Sequence, residues 1–521
     1  MKKVLLLMGL FVALLSAPTY AQNHGKCGVT HEQGLQLKQR MLNNRKASNS
    51  NAETRGGDTK YLPVKVHLVG LDDEPSPVPG YQVLDMLCIL NAEWEPLDIQ
   101  FYLSGEINHI NSTRIANHEN YDTQFGPAVI WEEALDHKVN DAINVFVTNN
   151  VGSSGGGGTT LAYYIEGQNY KYDFIMIRRA SMYGASVLPH EMGHLFSLSH
   201  PFLGWEGNAW NEGTHGLQVG PTSPGNTPNE RVNDPNCATV ADGMCDTPPD
   251  YLFGFHSSQS GGCSPFNQGT MDPDGVVINP MENNTMSYFE NCTEYEFTDD
   301  QVDAVYADLA TNARNYLDPG TIPNLEEITE SPTLVSPING AEVPFNSVWL
   351  TWEPVEGADG YVVEVGPNGS FSPGPYYRTV TTTSTSAVVE DLLANASVPF
   401  SWRVRPYGEY ELCTAFSDVA EFNTNAIETS VQNVQGLNGW NLRPNPAIGS
   451  DVIFIDAETT NILDATINVY SAAGQLISSL ENNFDKGTNT IEIPTNNMSA
   501  GIYMVSIQTE TGVTTKRLVI R

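Results

Sequence analysis

Apolar and polar positions alternate in short runs over most of this chain, and the period of the alternation changes along it. Pro63-Val64-Lys65-Val66-His67-Leu68-Val69 alternates like a strand. Val83 to Trp94 carries its apolar residues at helical spacing, and Ile99 to Leu103 alternates again. Ile143-Asn144-Val145-Phe146-Val147 and Asp173-Phe174-Ile175-Met176-Ile177 predict two more strands, with a helix following around His190. This order predicts an α/β upper half. Proline- and glycine-rich loops and a final helix near Asp299 to Tyr316 predict a loop-rich lower half. Ahead of the first strand lie a polar helical stretch, Gln33 to Leu42, and an Asn/Ser-rich tract ending at Arg55-Gly56-Gly57.

After an acidic, proline-bearing linker from Pro319 to about Pro332, the pattern becomes purely strand-like. Val348 to Trp352, Gly360 to Val365 and Phe400 to Arg405, with turn residues between them, predict a small β-sandwich over residues 330–425. A second Asn/Gln-rich linker precedes Thr466 to Tyr470, Thr490 to Ile493, Ile502 to Ile507 and Lys516 to Ile520, which predict another over 440–521. The fold class expected is therefore an α+β domain followed by two all-β sandwiches.

At 521 residues the chain is too long for one domain. Lys2 and Lys3, the apolar run Val4 to Leu15 and Thr19-Tyr20-Ala21 read as a signal peptide over 1–21, which makes 22–57 a pro-segment and 58–320 the first domain. Elsewhere nothing is apolar for long enough to cross a membrane. The net charge of −36 argues against nucleic acid and anionic membrane as partners, and leaves divalent cations as companions of surface carboxylates. Seven cysteines in an exported protein leave one odd thiol. Cys88 lies in an apolar helical stretch and is expected as a buried thiol, and Cys413 is isolated in a β-rich region; Cys27 remains.

The chemistry concentrates in His190-Glu191-Met192-Gly193-His194-Leu195-Phe196-Ser197-Leu198-Ser199-His200. His190 and His194 are four apart, so a helix puts both imidazoles on one face, within reach of one zinc ion. His200 joins them only if the helix ends and the chain turns back. Three histidines leave a coordination position open, the arrangement of catalytic zinc, and Glu191 stands beside it as general base. Chance accounts poorly for four specified residues at this spacing. Lone histidines such as His67, His137 and His256 read instead as surface or satisfied core residues.

With Asn283-Asn284-Thr285-Met286-Ser287-Tyr288 downstream, the chain resembles the metzincin metallopeptidases, and within them the pappalysin family. Asp242-Gly243-Met244-Cys245-Asp246-Thr247-Pro248-Pro249 and Asn279-Pro280-Met281 carry the same likeness, which covers roughly residues 58–318. Ser197 departs from the pattern, standing where the group has a glycine at positive φ, at a local strain of about 1 kcal/mol. The resemblance implies a zinc endopeptidase acting on protein or peptide substrates. In it Tyr288 supports the developing oxyanion and Met286 forms the floor beneath the histidines. Disulfides Cys237–Cys263 and Cys245–Cys292 are implied, although four cysteines alone leave three pairings open. Calcium is implied at Asp242, the Cys245 carbonyl, Thr247 and Asp250. Asn291, before Cys292, stands where relatives that cut before Arg or Lys carry an acid, which argues against strict basic specificity.

Cys27, beside Lys26, resembles the cysteine switch of some metzincins, a thiolate holding the open position on zinc until cleavage near Arg55 releases it. The glycine run Gly155 to Gly158 has no following Lys-Ser/Thr and is no phosphate loop. It leads instead into an edge strand on which substrate could add as a further strand. Trp352, Tyr361, Leu392 and Trp402 resemble the core of a fibronectin type III domain. Arg443-Pro444-Asn445-Pro446, the Gly474 turn, Gly501-Ile502-Tyr503 and Lys516-Arg517 look like the C-terminal sorting domain of type IX secretion cargo, which implies the outer-membrane secretion machinery as a partner. Two readings compete with the peptidase: an exported adhesin or glycan-binding protein with an inactive peptidase domain, and a metalloenzyme acting on another amide or ester. The intact Glu191 and three ligands favour the peptidase.

Overall fold

A computed structural model of the protein describes residues 26–48, 58–119, 126–152, 160–165, 172–318, 328–425 and 434–520, apart from 185, 234–235, 257–262, 264–265, 267, 290–291, 395, 397, 448–451, 472–475, 497 and 510–511. The chain divides into two compact units, Met1–Leu325 and Glu326–Arg521.

In the first unit a seven-stranded sheet carries the site. In chain order its elements are β1 (Lys26–Cys27), α1 (His31–Ser48), β2 (Lys60–Gly70), α2 (Gly80–Trp94), β3 (Ile99–Leu103), β4 (Asn108–Asn111), α3 (Thr113–Asn117), α4 (Gly126–Leu135), β5 (Ile143–Thr148), β6 (Thr160–Ile165), β7 (Phe174–Arg178), α5 (Val187–Leu195), α6 (Glu212–His215) and α7 (Asp299–Leu309). The strand order is β1-β6-β7-β5-β2-β3, with β4 also on β2. All neighbours run parallel except β6 against β7. Every residue of β5 and β6 is buried, as strands covered on both faces require. Short polar β4 and the small helices α3 and α4 escape the hydrophobic pattern of the sequence. His67 is a satisfied core residue, its Nε2 3.0 Å from Asn144 Oδ1 and its ring stacked on Phe146.

All nine residues of α5 are buried. Pro189 is tolerated because it sits in the first turn, where a backbone N–H has no helical partner. The helix ends with Ser197 at φ +73°, while the Leu198 N–H reaches the Gly193 carbonyl at 2.9 Å and the Ser197 N–H reaches that of His194 at 3.0 Å. That pair of bonds is a Schellman stop, which reverses the chain after one left-handed residue. The lower half packs around Phe202, Trp205, Trp210, Tyr251 and Phe253. A capping box of Thr298 and Gln301 opens α7.

The disulfides correct the expected pairing. Cys237 joins Cys245, and Cys263 joins Cys292. The loop between Cys237 and Cys245 turns back on itself, so each cysteine meets its sequence neighbour. Cys88 is also disulfide-bonded rather than a free thiol, and so is Cys413. Among the described residues Cys27 is the free cysteine, and it is buried.

The second unit contains two β-sandwiches. The first is built from β8 (Leu334–Ser336), β9 (Ala341–Pro344), β10 (Val348–Trp352), β11 (Gly360–Pro367), β12 (Arg378–Thr382), β13 (Ser386–Val389), β14 (Phe400–Tyr407) and β15 (Ala420–Asn425). Sheets β13-β10-β8 and β12-β11-β14-β15-β9 enclose Trp352, Tyr361, Leu392 and Trp402, all buried as the resemblance of these four residues to a sandwich core implies. The second is built from β16 (Leu437–Arg443), β17 (Val452–Thr459), β18 (Leu463–Ser471), β19 (Leu476–Phe484), β20 (Gly487–Pro494), β21 (Gly501–Thr509) and β22 (Gly512–Ile520), in sheets β16-β17-β20 and β19-β18-β21-β22. Its core holds Trp440, Ile455, Ile467, Val505 and Leu518. Among the described residues no helix is long and apolar enough to cross a membrane.

Candidate metal centre

The helix stop after α5 brings the third histidine back to the first two. His194 Nε2 lies 3.1 Å from His190 Nε2 and 3.1 Å from His200 Nε2, and the remaining pair is 3.2 Å apart. Nitrogens about 2.0–2.1 Å from one tetrahedral ion would stand about 3.3 Å from each other. His190 Nδ1 is 2.8 Å from the Thr285 carbonyl and His194 Nδ1 is 2.8 Å from the Leu198 carbonyl. A carbonyl only accepts, so both Nδ1 atoms carry the proton and both Nε2 atoms present bare lone pairs to each other. Burial, then the neighbouring His200 and His190, hold His194 well below the usual imidazole pKa. Neutral imidazoles with converging lone pairs repel one another unless a cation sits between them, so the three residues fit a zinc ion.

Cys27 completes the group. Its thiol and the three imidazoles place one ligand atom each within 4.8 Å of one another, the one such convergent group among the described residues. Cys27 arrives there because β1 pairs in parallel with β6, Cys27 opposite Ala162, and the Gly28 N–H reaches the Ala162 carbonyl at 3.0 Å. The edge that the sequence marks as open to an added strand is thus taken by the chain's own residues. Burial, then the Glu191 carboxylate, push the Cys27 thiol pKa up when no cation is present.

Glu191 is 1% exposed, and burial raises its pKa to about 8 against bonds from Cys27 and the Tyr164 backbone. Its Oε2 is buried without a hydrogen-bond partner. A void of about 20 Å³, room for about one water, is lined by Cys27, His190, Glu191, Ser287 and Tyr288 among others. The Tyr288 hydroxyl donates to the Cys27 carbonyl at 3.3 Å, and its ring centroid is 5.1 Å from that of His200. Burial, then Cys27 and Glu191, keep this phenol protonated well above its ordinary range. Met286 lies fully buried under α5, where a Cβ on Gly193 would meet its Sδ at 2.4 Å.

The α1 helix carries residues whose role the sequence pattern does not show. Arg40 donates from Nε to Ser197 Oγ at 2.6 Å and from a terminal nitrogen to the Leu195 carbonyl at 2.8 Å, and lies 3.5 Å from Asp308. Ser197 Oγ also donates to Asp308, so this serine does what a glycine could not. Arg45 pairs with Asp300 at 2.8 Å, and His31 with Glu206 at 3.0 Å. The available signal was the clustering of Lys38, Arg40, Arg45 and Lys46 along an otherwise polar helix.

Thr247 donates to Asp242 at 3.0 Å, whereas Asp250 accepts from Ser287 at 2.5 Å, and Cys245 is exposed. Burial raises Asp242 to about 7 and Asp250 to about 6, and raises Glu230 beside them to about 9. Residues 1–25, Arg55, Gly155 to Gly158, Glu290 and Asn291 lie outside the described residues, and with them the signal peptide, the maturation site and the specificity position.

Residues 441–521 match the family described as the secretion system C-terminal sorting domain. The protein is secreted or displayed at the cell surface, exported through that system. The matched segment is the second sandwich. Its Arg-Pro-Asn-Pro motif is pinned to the final strand, with the Val519 N–H donating to Asn445 Oδ1 at 2.9 Å and Asn445 Nδ2 donating to the Arg517 carbonyl at 2.7 Å. Among solved structures the chain is similar to the chicken CNTN1 FN1-FN3 domains, at 16% identity and a TM-score of 0.15, over 37% of this chain and 66% of that one. A structure titled "Myokine structure" is similar at 16% identity and a TM-score of 0.15, over 18% of this chain and 99% of that one. No curated protein matches the sequence.

Proposed function

We propose that this protein is a zinc endopeptidase of the metzincin, pappalysin-like type, held latent by its own residues 26–48. The observation that carries the reading is the convergence of three imidazole lone pairs and one thiol on a single point beside a buried carboxylate. His190, His194 and His200 would hold the metal. When bound, zinc supplies Lewis acidity to a water and to the scissile carbonyl.

The remaining roles belong to the chain. Glu191, raised in pKa by burial, accepts a proton from the attacking water and returns it to the leaving amine. Tyr288 stays protonated and donates to the oxyanion as charge develops. Substrate adds to β6 along the edge that β1 fills in the latent form. While β1 is in place, the void of about 20 Å³ admits water but no peptide. Calcium belongs to the same proposal as an ion bracing the Asp242–Asp250 loop, where it would relieve the crowding of Asp242, Asp250 and Glu230.

Substitution Glu191→Ala separates binding from chemistry. After removal of the pro-segment, this variant is expected to keep one zinc per chain and to lose at least ~100-fold in cleavage of a peptide library. Wild-type protein freed of its pro-segment that holds zinc yet cuts no peptide would defeat the peptidase reading.

A further inference from the structure

Two of the three zinc-facing imidazoles are oriented by backbone carbonyls, through His190 Nδ1 to Thr285 and His194 Nδ1 to Leu198. The third has no such carbonyl. His200 Nδ1 is buried with no hydrogen-bond partner, and Glu206 Oε1 stands 3.8 Å away, itself buried and unpartnered. The other oxygen of that carboxylate is fixed, accepting from the Gly204 N–H at 2.8 Å and lying 3.0 Å from His31 Nδ1. A donor and an acceptor left unsatisfied face to face in a buried site are costly to each other's exclusion of water, and a shift of under an ångström pairs them.

We propose that Glu206 is the positioning residue of His200, its Oε1 accepting the Nδ1 hydrogen bond that the Thr285 and Leu198 carbonyls accept from the other two imidazoles. The inference rests on the zinc reading above. It follows from the chemistry of such sites, in which the outer nitrogen of a ligating histidine is tied to a carboxylate or carbonyl that sets its tautomer and raises its basicity. Here the tie is a carboxylate for one ligand of three. The same carboxylate is gripped from outside by His31 at the start of α1, so the helix that delivers Arg40 to the far end of α5 also touches the support of the third ligand.

The test is zinc affinity of the full chain, measured by competition with a chromophoric chelator, for wild type, Glu206→Gln, Glu206→Ala and His31→Ala. Glu206→Ala is expected to weaken zinc binding 10–100-fold. Glu206→Gln keeps one acceptor oxygen, enough for His200 or Gly204 but not both, without the charge, and is expected to lose less than tenfold. This variant also guards against a fold defect in the alanine protein. His31→Ala is expected to bind zinc within twofold of wild type. Zinc held equally by wild type and both Glu206 variants would overturn the assignment alone. His31→Ala as weak as Glu206→Ala would overturn it too, because the effect would then come from docking of α1. Wild-type protein that binds no zinc would overturn the peptidase reading and this assignment together.

Discussion

Arg40 Nε lies 2.6 Å from Ser197 Oγ, so a guanidinium from the N-terminal helix is seated on the residue that turns the chain between the second and third histidines. The same guanidinium donates to the Leu195 carbonyl and faces Asp308, covering the end of α5 where unpaired carbonyls concentrate negative potential. Arg40→Ala would leave Asp308 with Arg314 as its remaining ion-pair partner among the described residues. Its effect should fall on docking rather than on the zinc ligands. Hydrogen exchange of the α1 amides in the full chain is expected to show an opening free energy lower by about 2–3 kcal/mol. Unchanged protection would mean that the guanidinium contributes nothing to holding the helix.

Ser197 combines a strained backbone with two useful bonds. Its φ of +73° favours glycine, while its hydroxyl links Arg40 to Asp308. Ser197→Ala keeps the strain and loses the bonds; Ser197→Gly loses the bonds but relieves the strain. Denaturant unfolding should therefore rank wild type first, glycine second and alanine third, with alanine below glycine by about 1 kcal/mol. Alanine equal to or above glycine would contradict the strained conformation.

His118 gives a pH signature independent of the metal. It is buried at 4% exposure, bonded to the Ile115 carbonyl and to Tyr163, and burial lowers its pKa to about 4. Unfolded, it would titrate near 6.5, so below that pH the unfolded chain takes up a proton that the native chain refuses. Native stability contributed by this residue is complete above pH 6.5 and is lost as pH falls to about 4. His118→Asn, which tolerates the left-handed backbone there, removes this titration and leaves the other groups in common. The stability difference between the two proteins should shift in favour of the variant by about 3 kcal/mol from pH 7 to pH 4. A difference that does not change with pH would show His118 to titrate normally in the folded chain.

What the sequence made legible is what local spacing controls. The α5 helix follows from His190 and His194 four apart and the sandwiches from alternating runs such as Val348 to Trp352 and Phe400 to Arg405, whereas the turn at Ser197 was marked by the glycine that the metzincin pattern carries there. Cys27 was found by a different route, as the thiol left over once the resemblance had paired four others, Cys88 read as a buried thiol and Cys413 as isolated, and the pairings themselves came out differently. Which cysteines meet depends on how loops of the lower half close, and the short turn from Cys237 to Cys245 decides it without leaving a periodic trace. Glu206, Arg40 and Asp308 act through partners more than 100 residues away or around an irregular turn, and no hydrophobic period encodes such contacts. Polar β4 and the five-residue α3 are fixed by the neighbours they pack on rather than by their own patterns.

Substitution Cys27→Ala separates a thiol that closes the histidine site from a strand that merely covers it. Full-length Cys27→Ala, unprocessed and loaded with zinc, is to be assayed for peptide cleavage beside the wild-type precursor and the wild-type protein freed of its pro-segment. The thiol's removal opens the fourth position and unties β1 from the edge of β6, while α1 stays docked through Arg40, Arg45 and His31. The account predicts measurable peptidase activity in the intact variant, none in the intact wild type, and abolition of both active forms by chelator. An intact variant as silent as the wild-type precursor, while the processed protein cuts peptide, would contradict the thiol switch and leave β1 as a steric plug on β6.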